Sequence, residues 1–121
     1  EFFSRNKTFF DFKNDCGVEE NEPLCGRILG IRKFENGLIL NDAYFGLMRI
    51  VDLNDFDNLE IVPLSNSFDS VPFKFTNDLD IDYTSNLIYF TVSSEDFERR
   101  NVMNEIFQST CTGRIFVYDL N

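Results

Sequence analysis

Gly46-Leu47-Met48-Arg49-Ile50-Val51-Asp52-Leu53 returns 67 residues later as Gly113-Arg114-Ile115-Phe116-Val117-Tyr118-Asp119-Leu120. Just upstream, Gly37-Leu38-Ile39-Leu40 resembles Asn86-Leu87-Ile88-Tyr89 at an offset of 49, and Leu29-Gly30-Ile31 resembles Leu79-Asp80-Ile81 at 50. The later unit therefore carries 18 extra residues between its second and third pieces, and these coincide with a segment of different periodicity. A unit of three to four short strands repeating at this interval is the trace left by β-propeller blades. Two unrelated meanders of a β-sandwich are the competing architecture.

Short β-type runs fill both units: Leu29 to Phe34, Gly37 to Leu40, Leu47 to Leu53, Leu59 to Leu64, Leu79 to Tyr83, Leu87 to Val92 and Arg114 to Leu120. Asn36-Gly37 signals a tight turn, since both residues tolerate positive φ, and the Asx-rich stretch from Asn54 to Asn58 marks another. Between Glu95 and Gln108, Phe97, Val102, Met103, Ile106 and Phe107 alternate with charged residues at helical spacing, and Ser94 ahead of two acids suits a helix start. The resulting expectation is an all-β partial propeller of about two blades with a short helical insertion near 95–108. Its parts are an N-terminal remnant over 1–27, a first blade over 28–66 and a second, incomplete blade over 71–121. Phe9-Phe10-Asp11-Phe12 reads as an outer strand of a preceding blade.

Two blades cannot close a ring, and each sheet would leave apolar faces and open edges in water. The chain on its own is thus expected to be marginally stable and to need the remaining blades. It does not begin with Met, and Glu1-Phe2-Phe3-Ser4-Arg5 lacks the basic, apolar, small order of a secretory signal. The chain reads as an excerpt of a longer protein.

Composition bounds the chemistry. The 121 residues include 43% apolar ones, enough for a packed core, and carry a formal charge of −10. Without a cluster of Lys and Arg, nucleic acid is excluded as a partner. The longest apolar run falls far short of the ~20 residues that span a bilayer. There is no His, which removes Ser-His-Asp and Cys-His nucleophiles and imidazole zinc sites from this chain.

Cys16 and Cys25 bracket a polar, acidic loop containing Pro23, and a disulfide between them would restrict the unfolded chain by about 2.5–3 kcal/mol. Cys111 is left as a free thiol or the partner of a cysteine elsewhere. Asn6-Lys7-Thr8 is a glycosylation sequon, and with the disulfide it points to an oxidising compartment. In Val71-Pro72-Phe73-Lys74-Phe75-Thr76-Asn77-Asp78-Leu79-Asp80-Ile81-Asp82, an amide and a carboxylate stand immediately before an alternating strand, where oxygen ligands for a hard cation could be held on rigid backbone. The alternative for Asn77 is a capped turn at the strand's start. Asp80 and Asp82 read as solvated turn or edge carboxylates.

Several ordered blocks, Cys25 to Ile31, Asp42-Ala43-Tyr44-Phe45-Gly46-Leu47, Val71 to Asp82, Ile88-Tyr89-Phe90-Thr91 and Thr112-Gly113-Arg114, resemble the conserved region of strictosidine synthase-like proteins. The resemblance runs from about Cys16 to Leu120. It implies a six-bladed propeller related to gluconolactonases and paraoxonases, acting on a small-molecule substrate in the secretory pathway, the vacuole or the endoplasmic reticulum lumen. In the alkaloid-forming branch the reaction is a Pictet-Spengler condensation of an amine with an aldehyde, worked by a Glu that lies downstream of this region. Hydrolase-like relatives keep an Asn-Asp pair before the inner strand, the Asn reaching a central calcium ion. By that resemblance Asn77 is the candidate ligand and Asp78 the secondary one, and the family's early disulfide falls on Cys16 and Cys25. Val92 departs from the pattern, since relatives usually carry Asp there, and the loss of that carboxylate is expected to weaken packing or polar contacts near the centre and counts against retained activity. The readings that follow for the full-length protein are a calcium-assisted ester or lactone hydrolase, a strictosidine synthase-type lyase, or a catalytically silent propeller.

Overall fold

The computed structural model describes residues 16–121; Asn6 and Phe9 to Phe12 lie outside them. A disulfide loop opens the described chain, with a 3₁₀ turn at Glu19–Asn21 and a single helical turn, α1, at Glu22–Cys25. Four strands follow, β1 (Ile28–Phe34), β2 (Gly37–Asp42), β3 (Gly46–Ile50) and β4 (Ile61–Ser65), paired in sequence order as an antiparallel meander. A small hairpin, β5 (Ser67–Phe68) and β6 (Val71–Pro72), leads to a second meander of β7 (Phe75–Asp82), β8 (Leu87–Ser94) and β9 (Arg114–Asp119). Between β8 and β9 lies the insertion, with helix α2 at Val102–Gln108. The fold is all-β, two antiparallel meanders stacked as consecutive blades of a partial propeller.

The way the sheets meet separates this arrangement from a sandwich. β7 packs mainly on β1, the first strand of the other sheet, less on β2 and least on β3. A sandwich keeps its sheets about 10 Å apart across their width, whereas blades converge on an axis. Phe34, Ile39 and Leu47 of the first sheet and Leu79, Ile81, Ile88, Phe90 and Val92 of the second make one continuous core in the wedge. Farther along the second sheet, Phe73, Phe90 and Phe116 pack ring against ring with centroids 5.0–5.6 Å apart.

Strand pairing corrects the internal alignment. Ile28 pairs with Asp42 and Gly30 with Asn41, leaving Leu29 as an extra residue in β1. Thr76 pairs with Val92 and Leu79 with Phe90, so Asn77 and Asp78 together face the single Thr91. Both first strands therefore bulge at the same place, which maps Ile28 onto Thr76, Asp42 onto Val92 and, through Leu40–Met48 and Phe90–Phe116, Met48 onto Phe116. The offsets are 48, 50 and 68 rather than 50, 49 and 67. A one-residue slip moves every side chain to the other face, and sequence similarity alone does not weigh that cost. The 18-residue excess of the later unit is unchanged by the correction.

Other boundaries moved for identifiable reasons. The first hairpin turns on Glu35 and Asn36, with Glu35 at φ +52°, and Gly37 already pairs with Phe34. Glycine is needed at 37 because the Ile50 carbonyl oxygen occupies the space of a Cβ. The helix starts at Val102 rather than Glu95. Ser94 remains on β8, where its Oγ accepts hydrogen bonds from the Asp96 and Phe97 amides, at 3.1 and 2.9 Å, and donates to Glu105 Oε2.

Candidate functional site

Asn77 and Asp78 do not precede the strand; they sit within β7 on its bulge. A bulge places two residues against one and re-aims their side chains, and here every backbone group of Asp78 that the distortion frees is caught. Its N–H donates to Thr91 Oγ1 at 3.1 Å, and its carbonyl accepts from the Thr91 hydroxyl at 3.3 Å and from Asn41 Nδ2 at 3.1 Å. Its own carboxylate accepts the Leu79 N–H at 2.8 Å. Just beneath, Gly30 leaves room for the bulge, since a Cβ there would stand 3.0 Å from Asp78 Oδ1 and 3.1 Å from Asp78 Cα.

The two side chains of the pair differ in availability. Asn77 Nδ2 donates to Ser93 Oγ at 3.0 Å, which fixes the amide, and its Oδ1 accepts no hydrogen bond among the described residues. Asp78 Oδ1 lies 3.5 Å from Arg32, whose Nε is 3.4 Å from Asp80. Asp82 belongs to the β7–β8 turn: the Ser85 hydroxyl and the Thr84 and Ser85 amides donate to it and hold its pKa below the ordinary carboxylate value. Among the described residues, no three Asp, Glu or Cys side chains gather into a metal-holding group.

Asp42, the repeat counterpart of Val92, is fully buried and accepts the Tyr44 and Phe45 amides on Oδ1 at 2.9 and 3.0 Å. Burial raises its pKa, only partly offset by those amides and that of Arg27. In the second sheet Ser94 performs this turn-closing task two residues later, and Val92 is free to join the core at 1% exposure. The expected weakening of packing at Val92 is therefore not seen.

A second polar centre, not anticipated from the sequence, forms around Glu22. Its side chain is 3% exposed. It accepts from Arg27 Nε at 2.9 Å and from the Tyr44 hydroxyl at 2.7 Å, with Arg99 at 3.3 Å. Burial raises the Glu22 pKa, but the Tyr44 and Arg27 hydrogen bonds and the two guanidinium charges outweigh it and the net direction is down. Burial and then the Glu22 hydrogen bond push Tyr44 up to about 12. This carboxylate joins the disulfide loop, the β2–β3 turn and the insertion; three separated charges in sequence carried no common signal. The Cys16–Cys25 disulfide is formed, with Cα atoms 5.5 Å apart, and Cys111 is free and exposed. Such a bond is consistent with a secretory or lumenal protein. Among the described residues no helix is long and apolar enough to cross a membrane.

Comparison with known proteins agrees with this architecture. The family described as strictosidine synthase matches residues 77–121. Protein STRICTOSIDINE SYNTHASE-LIKE 10 of Arabidopsis thaliana is 40% identical over 102 residues, covering 83% of this chain and 26% of that protein. Adipocyte plasma membrane-associated protein is 37% identical over 108 residues in Danio rerio, covering 88% and 26%, and 36% identical over 107 residues in Homo sapiens, covering 86% and 25%. The chain spans about a quarter of the length of these curated relatives. The match over residues 77–121, with 36–40% identity to these curated relatives across more than four-fifths of this chain, places it in the strictosidine synthase-like family.

Proposed function

We propose that the full-length protein is a calcium-assisted hydrolase of esters or lactones, with Asn77 supplying one oxygen of the metal cage. The observation that carries this reading is the Asn77 amide: Ser93 holds its nitrogen, and its Oδ1 accepts no hydrogen bond among the described residues, on a bulge of the first strand of its sheet. Immobilising a ligand through its other polar atom is how outer-shell contacts prepare a metal site, and an amide oxygen suits a hard cation. Asp78 is the poorer candidate, because Arg32 Nη1 lies 3.5 Å from its Oδ1 and a guanidinium charge there opposes a second cation. Calcium takes six to eight oxygens, so the remaining ligands belong to other inner strands of a closed, six-bladed ring. When bound, the ion would polarise the substrate carbonyl as a Lewis acid. Residues of this chain would contribute orientation: Ser93 fixes the Asn77 amide, and Thr91 and Gly30 set the depth of the bulge.

On this reading the protein resides in the secretory pathway and carries a glycan at Asn6. Ester hydrolysis by the full-length protein should stop on chelation, return with Ca²⁺, and be lost in Asn77→Ala. Turnover that ignores metal overturns the proposal. The second reading, an amine–aldehyde condensing lyase, is favoured by the family match over residues 77–121. Condensation of the two substrates without metal would establish it instead.

A further inference from the structure

Asn41 lies on β2 of the first sheet, at 0% exposure, yet its polar contact is made in the other sheet: Nδ2 donates to the Asp78 carbonyl at 3.1 Å. Its Oδ1 is buried and has no partner among the described residues. An apolar side chain there would leave no acceptor dry, so packing alone does not account for the amide. What the amide does achieve is specific. Asp78 is the second residue of the bulge, and its carbonyl has left the regular ladder to Thr91; Asn41 is the group in the neighbouring sheet that this carbonyl meets.

The bulge itself recurs in β1, but there the paired residues are Leu29 and Gly30. The polar pair and its tether therefore belong to the seam between these two sheets and not to the repeat in general. We propose that Asn41 is a positioning residue, setting from the first sheet the placement of the Asn77-Asp78 bulge in the second. Resting on the calcium reading above, it thereby also sets the affinity of the site for the ion, with no contact of its own to the metal.

The test uses the full-length protein and its Asn41→Leu variant, read by amide hydrogen exchange with and without Ca²⁺ and by direct Ca²⁺ titration. Loss of the tether should speed exchange at Asp78 and Leu79 while Ile88 and Tyr118, at the other end of the same sheet, keep their rates. Ca²⁺ affinity should fall by about tenfold, the lower end for outer-shell partners. If the wild type binds no Ca²⁺ but the local change in exchange is present, the calcium reading fails and the positioning role stands. If the variant loses thermal stability while exchange at Asp78 and Leu79 matches the wild type or changes together with the whole sheet, the proposal is overturned. Should Asn41→Leu not fold, Asn41→Ser, too short to reach the Asp78 carbonyl, carries the same measurement.

Discussion

Glu22 concentrates the largest local electrostatic commitment in the described structure, a buried carboxylate facing two guanidinium groups and a phenol. Its pKa is lowered in the folded state, so its stabilisation is complete above the unfolded-state value and is lost as pH falls through the folded one. Glu22→Gln in the full-length protein should cost about 2 kcal/mol near neutrality, discounted because Arg27 and Arg99 remain partly hydrated. Urea unfolding across the acid range should show the gap between variant and wild type closing as the wild-type carboxyl protonates; a constant gap would mean the charge is not what matters. Asp42 behaves in the opposite sense. Burial raises its pKa, so its contribution is full below the unfolded-state value and declines as pH rises through the folded one. Neither residue stands out in the sequence, where Glu22 is one acid among several in a loop and Asp42 one end of an apolar run.

At the scale of elements, each distortion has a polar side chain that compensates it. Ser94 lets β8 run two residues past the point where β2 stops and still closes the turn, because its Oγ takes two backbone amides. Ser94→Ala should therefore cost about 1–2 kcal/mol and raise amide exchange at Asp96 and Phe97, measured against the unchanged β7–β8 hairpin. Equal exchange in the two proteins would show that the turn closes without the hydroxyl. The amphipathic pattern read across 95–108 was right in kind and wrong in extent. The seven residues before Val102 are used in a turn tied locally to Ser94 and, at long sequence separation, to Tyr44 and Glu22. The β5–β6 hairpin escaped notice because its strands have two residues each, and its turn puts Asp69 and Ser70 at φ +52° and +66° without the glycine that usually announces it.

For the molecule as a whole, the corrected repeat explains which apolar residues are exposed. Ile39 and Leu47 face the second sheet and are 0% exposed; their counterparts Tyr89 and Ile115 occupy the same positions on the second sheet and are 43% and 73% exposed. On the opposite side, Ile31 is 51% exposed where its counterpart Leu79 is 3%. At these positions one sheet presents to open water the side chain that its equivalent buries, although Leu40 and Met48, beside Ile31, are covered. The 121-residue chain alone should bind a hydrophobic dye strongly and associate with concentration. Tyr89→Lys together with Ile115→Lys should reduce both effects in the isolated chain and yet lower the melting temperature of the full-length protein. Calorimetry of the two lengths side by side checks this, and a double variant harmless in the full-length protein would show that nothing packs on that face.

The sequence by itself determined the strand-rich meander, its recurrence and the 18-residue insertion, because hydrophobic alternation and turn chemistry are local properties of a chain. It also brought forward the Cys16–Cys25 bridge and the Asn77-Asp78 pair. Only the tertiary structure decided the true register between the repeats, the bulge that sets that pair within a strand, and the partners Asn41, Arg32 and Glu22. Those depend on which face of one sheet meets which face of the next, and a residue pairing across 37 positions, as Asn41 does with Asp78, leaves no periodicity to read.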